Sequence, residues 1–155
     1  DLIAKTAGVS IGTLYNRFPT REALIDAVVP EMAADALAGI AHRADAAPNA
    51  WSRFELYITG LLEMQVACPA LDDIIARRYP ESHELSSMCD EAIRHSSLLM
   101  EGAQTDGTLR ADFRSSDLVG IFLANSGIVR ANASLDADAW RRHITFVFAG
   151  IRVQP

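Results

Sequence analysis

The sequence predicts an all-helical protein, and three observations carry that reading. Alanine and leucine dominate an apolar set that makes up 50% of the 155 residues, with aromatics at only 7%. Both residues lose little conformational freedom on entering a helix. Apolar positions recur at three-and-four spacing through most of the chain, and no segment alternates with period two long enough to form a strand. Finally, capping residues, glycines and prolines punctuate those periodic runs where helices would begin and end.

Residues 1–7 read as the tail of a helix. Gly8 supplies a left-handed end, and Ser10 is a good N-cap for a short helix over 11–18. Pro19 breaks that run and Thr20 caps the next, which carries Ala23, Leu24, Ala27 and Val28 on one face and continues to about Ala44. Pro30 lies inside it, and a kink is expected there, not a stop, because the MAADALAG that follows is strongly helix-forming. Residues 45–50 connect to a helix from about Pro48 to Ala67, whose stripe is Phe54, Ile58, Leu61, Leu62 and Gln65. A short helix is predicted near 70–78. A longer one over about 83–104 repeats Leu85, Met88, Cys89, Ala92, Ser96, Leu99, Met100 and Ala103, and ends in a loop with a tight turn at Asp106-Gly107.

Two final helices, over about 115–133 and 137–153, are apolar on more than one face. Leu118, Val119, Ile121, Phe122 and Leu123 mark the first, and Trp140, Ile144, Phe146, Val147, Phe148 and Ile151 the second. Helices apolar nearly all round must be covered nearly all round, and a second copy of the chain is the expected cover. Gly120, Ala124, Gly127 and Ala131 form a seam of small residues that permits close helix approach.

Several function classes find no support. Cys68 and Cys89 fit neither a disulfide framework nor zinc spacing, and read as reduced, buried thiols. The four histidines are scattered, so no metal site is expected. No nucleotide fingerprint, phosphate loop or nucleophile elbow occurs, and no catalytic pair is recognisable, so the protein is not expected to be an enzyme or to need a cofactor. No apolar run is long enough for a membrane span and no signal peptide is visible, which together predict a cytoplasmic protein.

The first thirty residues carry the functional signal. Helix, glycine turn and short helix make a helix-turn-helix arrangement. Ala4 is small where two helices cross, Ile3, Ala7, Val9 and Leu14 are expected to face inward, and the second helix presents Ser10, Ile11, Gly12, Thr13, Tyr15, Asn16 and Arg17 outward. The string IAKTAGVSIGTLYNRFPTREALIDAV, residues 3–28, closely resembles the DNA-binding signature of the TetR family of repressors. The resemblance implies that Ile11, Gly12 and Thr13 touch base edges, and that Tyr15 reaches the backbone or a base. Arg21, with Thr20 before it at the start of the connecting helix, resembles the family's phosphate-gripping lysine or arginine, whereas Asn16 and Arg17 stand where relatives often carry an aromatic residue or histidine; their own chemistry suits Asn16 to adenine and Arg17 to phosphate. Leu14 and Phe18 read as core. The family carries a further helix before this motif, whereas this sequence begins inside the second. Charge is a counterweight: the net charge is −6, and within residues 1–30 Lys5, Arg17 and Arg21 only balance Asp1, Glu22 and Asp26.

The resemblance also implies a division into a head with its connecting helix, residues 1–44, and a sensing and dimerisation body, residues 45–155. The expected partners are a double-stranded DNA operator, a small-molecule effector bound inside the body, and a second copy docked through the last two helices. Residues suited to line an apolar pocket with a few polar groups are Trp51, Phe54, Tyr57, Met64, Met88, His95, Met100, Phe122 and Asn125. His95 and Asn125 stand out, because a polar group on an apolar stripe needs a partner. The alternative reading is a ligand-binding or scaffold protein of the same fold whose head no longer binds DNA.

Overall fold

The computed structural model describes residues 2–68, 83–132 and 136–154. They form seven helices: α1 (Leu2–Thr6), α2 (Ile11–Arg17), α3 (Arg21–Asp45), α4 (Ala50–Ala67), α5 (His83–Thr105), α6 (Ser115–Asn132) and α7 (Ala139–Ile151). The helix expected near 70–78 lies outside the described residues. The extended pairing among those described is one antiparallel bridge between Leu109 and Arg152. There Arg110 N–H donates to the Ile151 carbonyl and Val153 N–H to Thr108, tying the end of α7 to the loop after α5.

Local chemistry sets the boundaries. Gly8 takes φ +68°, and the N–H groups of Gly8 and Val9 close α1 on the carbonyls of Lys5 and Ala4. An L side chain is disfavoured in that conformation. Ser10 Oγ accepts from Thr13 N–H and Thr20 Oγ1 from Ala23 N–H, so both expected caps form. α4 starts at Ala50, because Asn49 Oδ1 accepts from Ser52 N–H; Pro48 lies before the helix. α3 runs through Pro30 without a break.

The core sits in the body. The predicted α4 stripe of Phe54, Ile58, Leu61, Leu62 and Gln65 is buried throughout. Trp51, Phe54, Phe113 and Phe148 pack as tilted and edge-on aromatic pairs with centroids 5.9–6.3 Å apart, an arrangement favoured by the ring quadrupoles. Met100, Ala103, Leu109, Leu118, Ile121, Trp140 and Ile144 complete the cluster.

The connecting helix departs from expectation. The face that turns inward is Ile25, Val29, Ala33, Ile40 and Ala44, while Ala27 and Val28 are exposed. Val29 and Ala33 meet Met64 of α4, Cys68 at its C-cap, and Met88 and Cys89 of α5. Ile3, Ala7 and Val9 do not face inward either. All three are exposed; in this head Ala4 is the buried residue, and Leu14 and Phe18 are half-buried. Helices of five and seven residues have too little surface to enclose one another.

Candidate DNA-binding and effector sites

α2 is the exposed edge of the head. It has no buried residue; Tyr15 is 61% exposed and Ile11 45%. Ser10, Gly12, Thr13, Asn16, Arg17, Thr20 and Arg21 are exposed beside them. All nine predicted head residues are therefore exposed. Two carry a structural duty as well. Ser10 Oγ lies 3.0 Å from Thr13 N and 2.8 Å from Thr13 Oγ1, and Thr20 Oγ1 lies 3.0 Å from Ala23 N. Arg17 sits with its guanidinium 5.9 Å from the Phe18 ring centroid, a cation–π contact that directs the arginine along the helix face.

The nine predicted body residues separate into three groups. Trp51, Phe54 and Met100 are core, and Trp51 also borders an open groove of about 410 Å³ between α4 and α7. There Arg152 lies over Trp51, 5.2 Å from its ring, and Arg141 over Trp140 at 4.4 Å. Met64 and Met88 belong to the junction with α3. Burial, and secondarily Asp90, pushes the Cys89 thiol at that junction above its ordinary range.

The third group lies along one wall of α4. The Tyr57 and His95 rings stack with centroids 4.5 Å apart and planes 26° from parallel. Burial, followed by Glu91 and Asp45, pushes the Tyr57 hydroxyl up to about 12. Further along, Asn125 Nδ2 donates to Gln65 Oε1 at 2.9 Å, and Gln65 Nε2 donates to the Phe122 carbonyl at 3.1 Å. Gln65 is absent from the residues expected at a site. Its signal was nevertheless that of Asn125, a polar side chain on an apolar stripe. Two polar atoms on this wall, His95 Nε2 and Asn125 Oδ1, are buried without a hydrogen-bond partner.

Among the described residues no three histidine, cysteine, aspartate or glutamate side chains converge as a metal site would require, and no helix is long and apolar enough to cross a membrane.

A helix-turn-helix head on an all-helical body defines a class of DNA-binding regulator, and the comparisons with known proteins point the same way. Residues 1–28 match the model of the bacterial regulatory proteins of the tetR family. A TetR transcriptional regulator from Streptomyces coelicolor superposes with a TM-score of 0.63 at 27% identity, covering 99% of this chain and 86% of that one. A ketosteroid transcriptional regulator of Mycobacterium tuberculosis reaches a TM-score of 0.69 at 18% identity, with 98% and 83% covered. A fatty acid degradation regulator from Bacillus halodurans reaches 0.65 at 15%, with 96% and 82% covered. The last two likenesses concern the fold alone. No curated protein matches the chain. Residues 1–28 thus carry the helix-turn-helix signature of the tetR family, and the chain as a whole is similar in fold to TetR-type transcriptional regulators.

Proposed function

We propose that this regulator is a repressor, released from a palindromic operator when a small molecule binds its body. Residues 1–44 act as head and connecting helix, and residues 45–155 as sensor and dimerisation unit, in the cytoplasm. Two α2 helices of a homodimer enter successive major grooves about 34–36 Å apart. Ile11, Gly12, Thr13 and Asn16 face base edges. Ser10, Tyr15, Arg17, Thr20 and Arg21 hold phosphates, and hydroxyls and guanidinium groups suit that task. The observation that carries this reading is that every residue of α2 except the half-buried Leu14 is exposed, as are Thr20 and Arg21 just after it.

The dimer reading rests on the outer faces of α6 and α7. Gly120, Ala124, Gly127 and Ala131 are all exposed along α6 beside Val119 and Leu123, and Phe146 of α7 is 68% exposed. Contiguous exposed apolar surface of this kind marks an interaction face. The effector reading rests on the wall of α4, where buried polar atoms await partners. A ligand that binds one body conformation better shifts the dimer toward it and changes the spacing of the heads.

The test is binding of the full-length protein to fragments of its own upstream DNA at two salt concentrations. Tight binding that weakens steeply with salt, and is lost on Tyr15→Ala or Arg21→Ala, is the expected result. A folded dimer that binds none of these fragments at low salt would favour a ligand-binding or scaffold role for the fold instead.

A further inference from the structure

The wall of α4 constrains the chemistry of its ligand. The Phe122 carbonyl can only accept, so Gln65 must turn its Nε2 toward it. Gln65 Oε1 then faces Asn125 and can only accept in its turn, so Asn125 must offer Nδ2. Rotating the Asn125 amide would set two carbonyl oxygens against each other. The relay therefore fixes Asn125 Oδ1 as a pure acceptor pointing away from Gln65. Asn125 is 2% exposed and this oxygen has no partner. A buried amide oxygen left without a donor is a costly arrangement unless something arrives to supply one.

A second orphan lies on the same wall. His95 Nε2 is sealed from solvent and unpartnered, although the residue as a whole is only half-buried and its ring is held flat against Tyr57. Tyr57 and Gln65, against which the two orphan residues rest, are eight residues apart on α4, about 12 Å along the helix axis. On α4 the buried Leu61 lies midway between them, and Ala92 of α5 packs against the same apolar cluster. The buried polar side chains of the described residues are Gln65, Ser96, Asn125 and Ser126, none of them ionisable. Of the described charged side chains, Arg130 donates to Ser126 Oγ, next in sequence to Asn125, and is already engaged there, so an anion at the inner end would have to compete for it.

We infer that the effector is an uncharged, elongated, largely apolar molecule that donates a hydrogen bond from a hydroxyl or N–H group to Asn125 Oδ1 at its inner end, with His95 Nε2 meeting a second polar group nearer the surface. This inference rests on the effector-binding reading of the body.

The experiment is a calorimetric titration of the full-length protein with three probes of closely similar length: 1-decanol, methyl decyl ether and decanoate. The alcohol can donate, the ether can only accept, and the acid is charged. The alcohol is expected to bind roughly tenfold more tightly than the ether, the difference made by one hydrogen bond to a buried acceptor, and more tightly than the acid. Asn125→Leu is expected to erase the alcohol-over-ether preference while the ether still binds. The wild-type ranking decides the matter even where that variant does not fold. Equal affinity for alcohol and ether, or preference for decanoate, overturns the inference and leaves an effector pocket standing. Binding of none of the three overturns the inference together with the effector reading, and assigns the two orphan atoms to trapped water.

Discussion

Gly60 lies directly beneath Ile40. A Cβ built on Gly60 would stand 2.8 Å from Ile40 Cγ2 and 3.0 Å from its Cγ1, so α3 and α4 touch where no side chain fits. Ile40 is buried and β-branched, and its χ1 is stiff within a helix. It cannot swing aside cheaply. Gly60→Ala is expected to cost about 1–3 kcal/mol in overpacking, against a gain of about 1 kcal/mol in helix propensity. The midpoint of urea unfolding should therefore fall. Gly102 of α5 supplies the control: it is exposed, with nothing within 4 Å of its Cβ position. Gly102→Ala should stabilise by about 0.5–1 kcal/mol. If both variants move the midpoint in the same direction, the close crossing of α3 and α4 is wrong.

How much of this was legible follows from where the pattern is unambiguous. The stripe of α4 could be read because it is flanked by polar positions and covered on one side, and its five residues are all buried. The caps at Ser10 and Thr20 could be read because their hydroxyls have a single local use. α3 was misread because alanine occurs on every side of it: Ala23, Leu24, Ala27 and Val28 make as good an apolar row as Ile25, Val29 and Ala33, and contacts with α4 and α5 choose the second. Those contacts are long-range, and local spacing does not contain them. The nine head residues were recognisable as a string. The relay through Gln65 was not, because which polar side chains meet depends on the register of α4 against α6.

Tyr57 gives the body a signature at alkaline pH. Its hydroxyl is pushed up to about 12, chiefly by burial, while an unfolded tyrosine ionises near 10. The folded state thus holds the proton more tightly than the unfolded state. The associated stability is complete below about pH 10 and is lost as pH rises through about 12. Tyr57→Phe removes the group, so its unfolding free energy should fall less steeply between pH 9 and 12 than that of the wild type. Parallel curves would mean that Tyr57 ionises freely in the folded protein.

Phe146 tests the proposed dimer. It is the most exposed aromatic residue of α7, with Gly150 exposed one turn further along the helix and Val153 exposed just beyond its end. A glutamate there has no effect on the core of one chain, whose α7 contribution is Trp140, Ile144 and Phe148. Across a two-fold interface it sets carboxylates into apolar surface, an unfavourable burial of charge. Phe146→Glu should sediment as a folded monomer, with its helix content retained and its operator affinity much reduced. A variant that still sediments as a dimer would place the interface elsewhere.

Pro30 stands at the point where head and body are joined. It is buried between Val29 and Ala33, the pair that meets Met64 and the C-cap residue Cys68 of α4 and Met88 and Cys89 of α5. α5 also carries His95 at the other end of the effector wall. A shift of α5 on ligand binding would reach α3 at this proline. Proline has no N–H, so the carbonyl of Asp26 lacks its usual partner and the helix can bend there at little cost. Pro30→Ala restores that hydrogen bond and stiffens the rod. The expected outcome is operator affinity close to the wild type, greater thermal stability, and a several-fold loss in release of the operator by 1-decanol, read by fluorescence anisotropy of labelled DNA. Stiffening that leaves release unchanged would mean the signal crosses to the head without bending α3, and Pro30 would then be only a residue the helix tolerates.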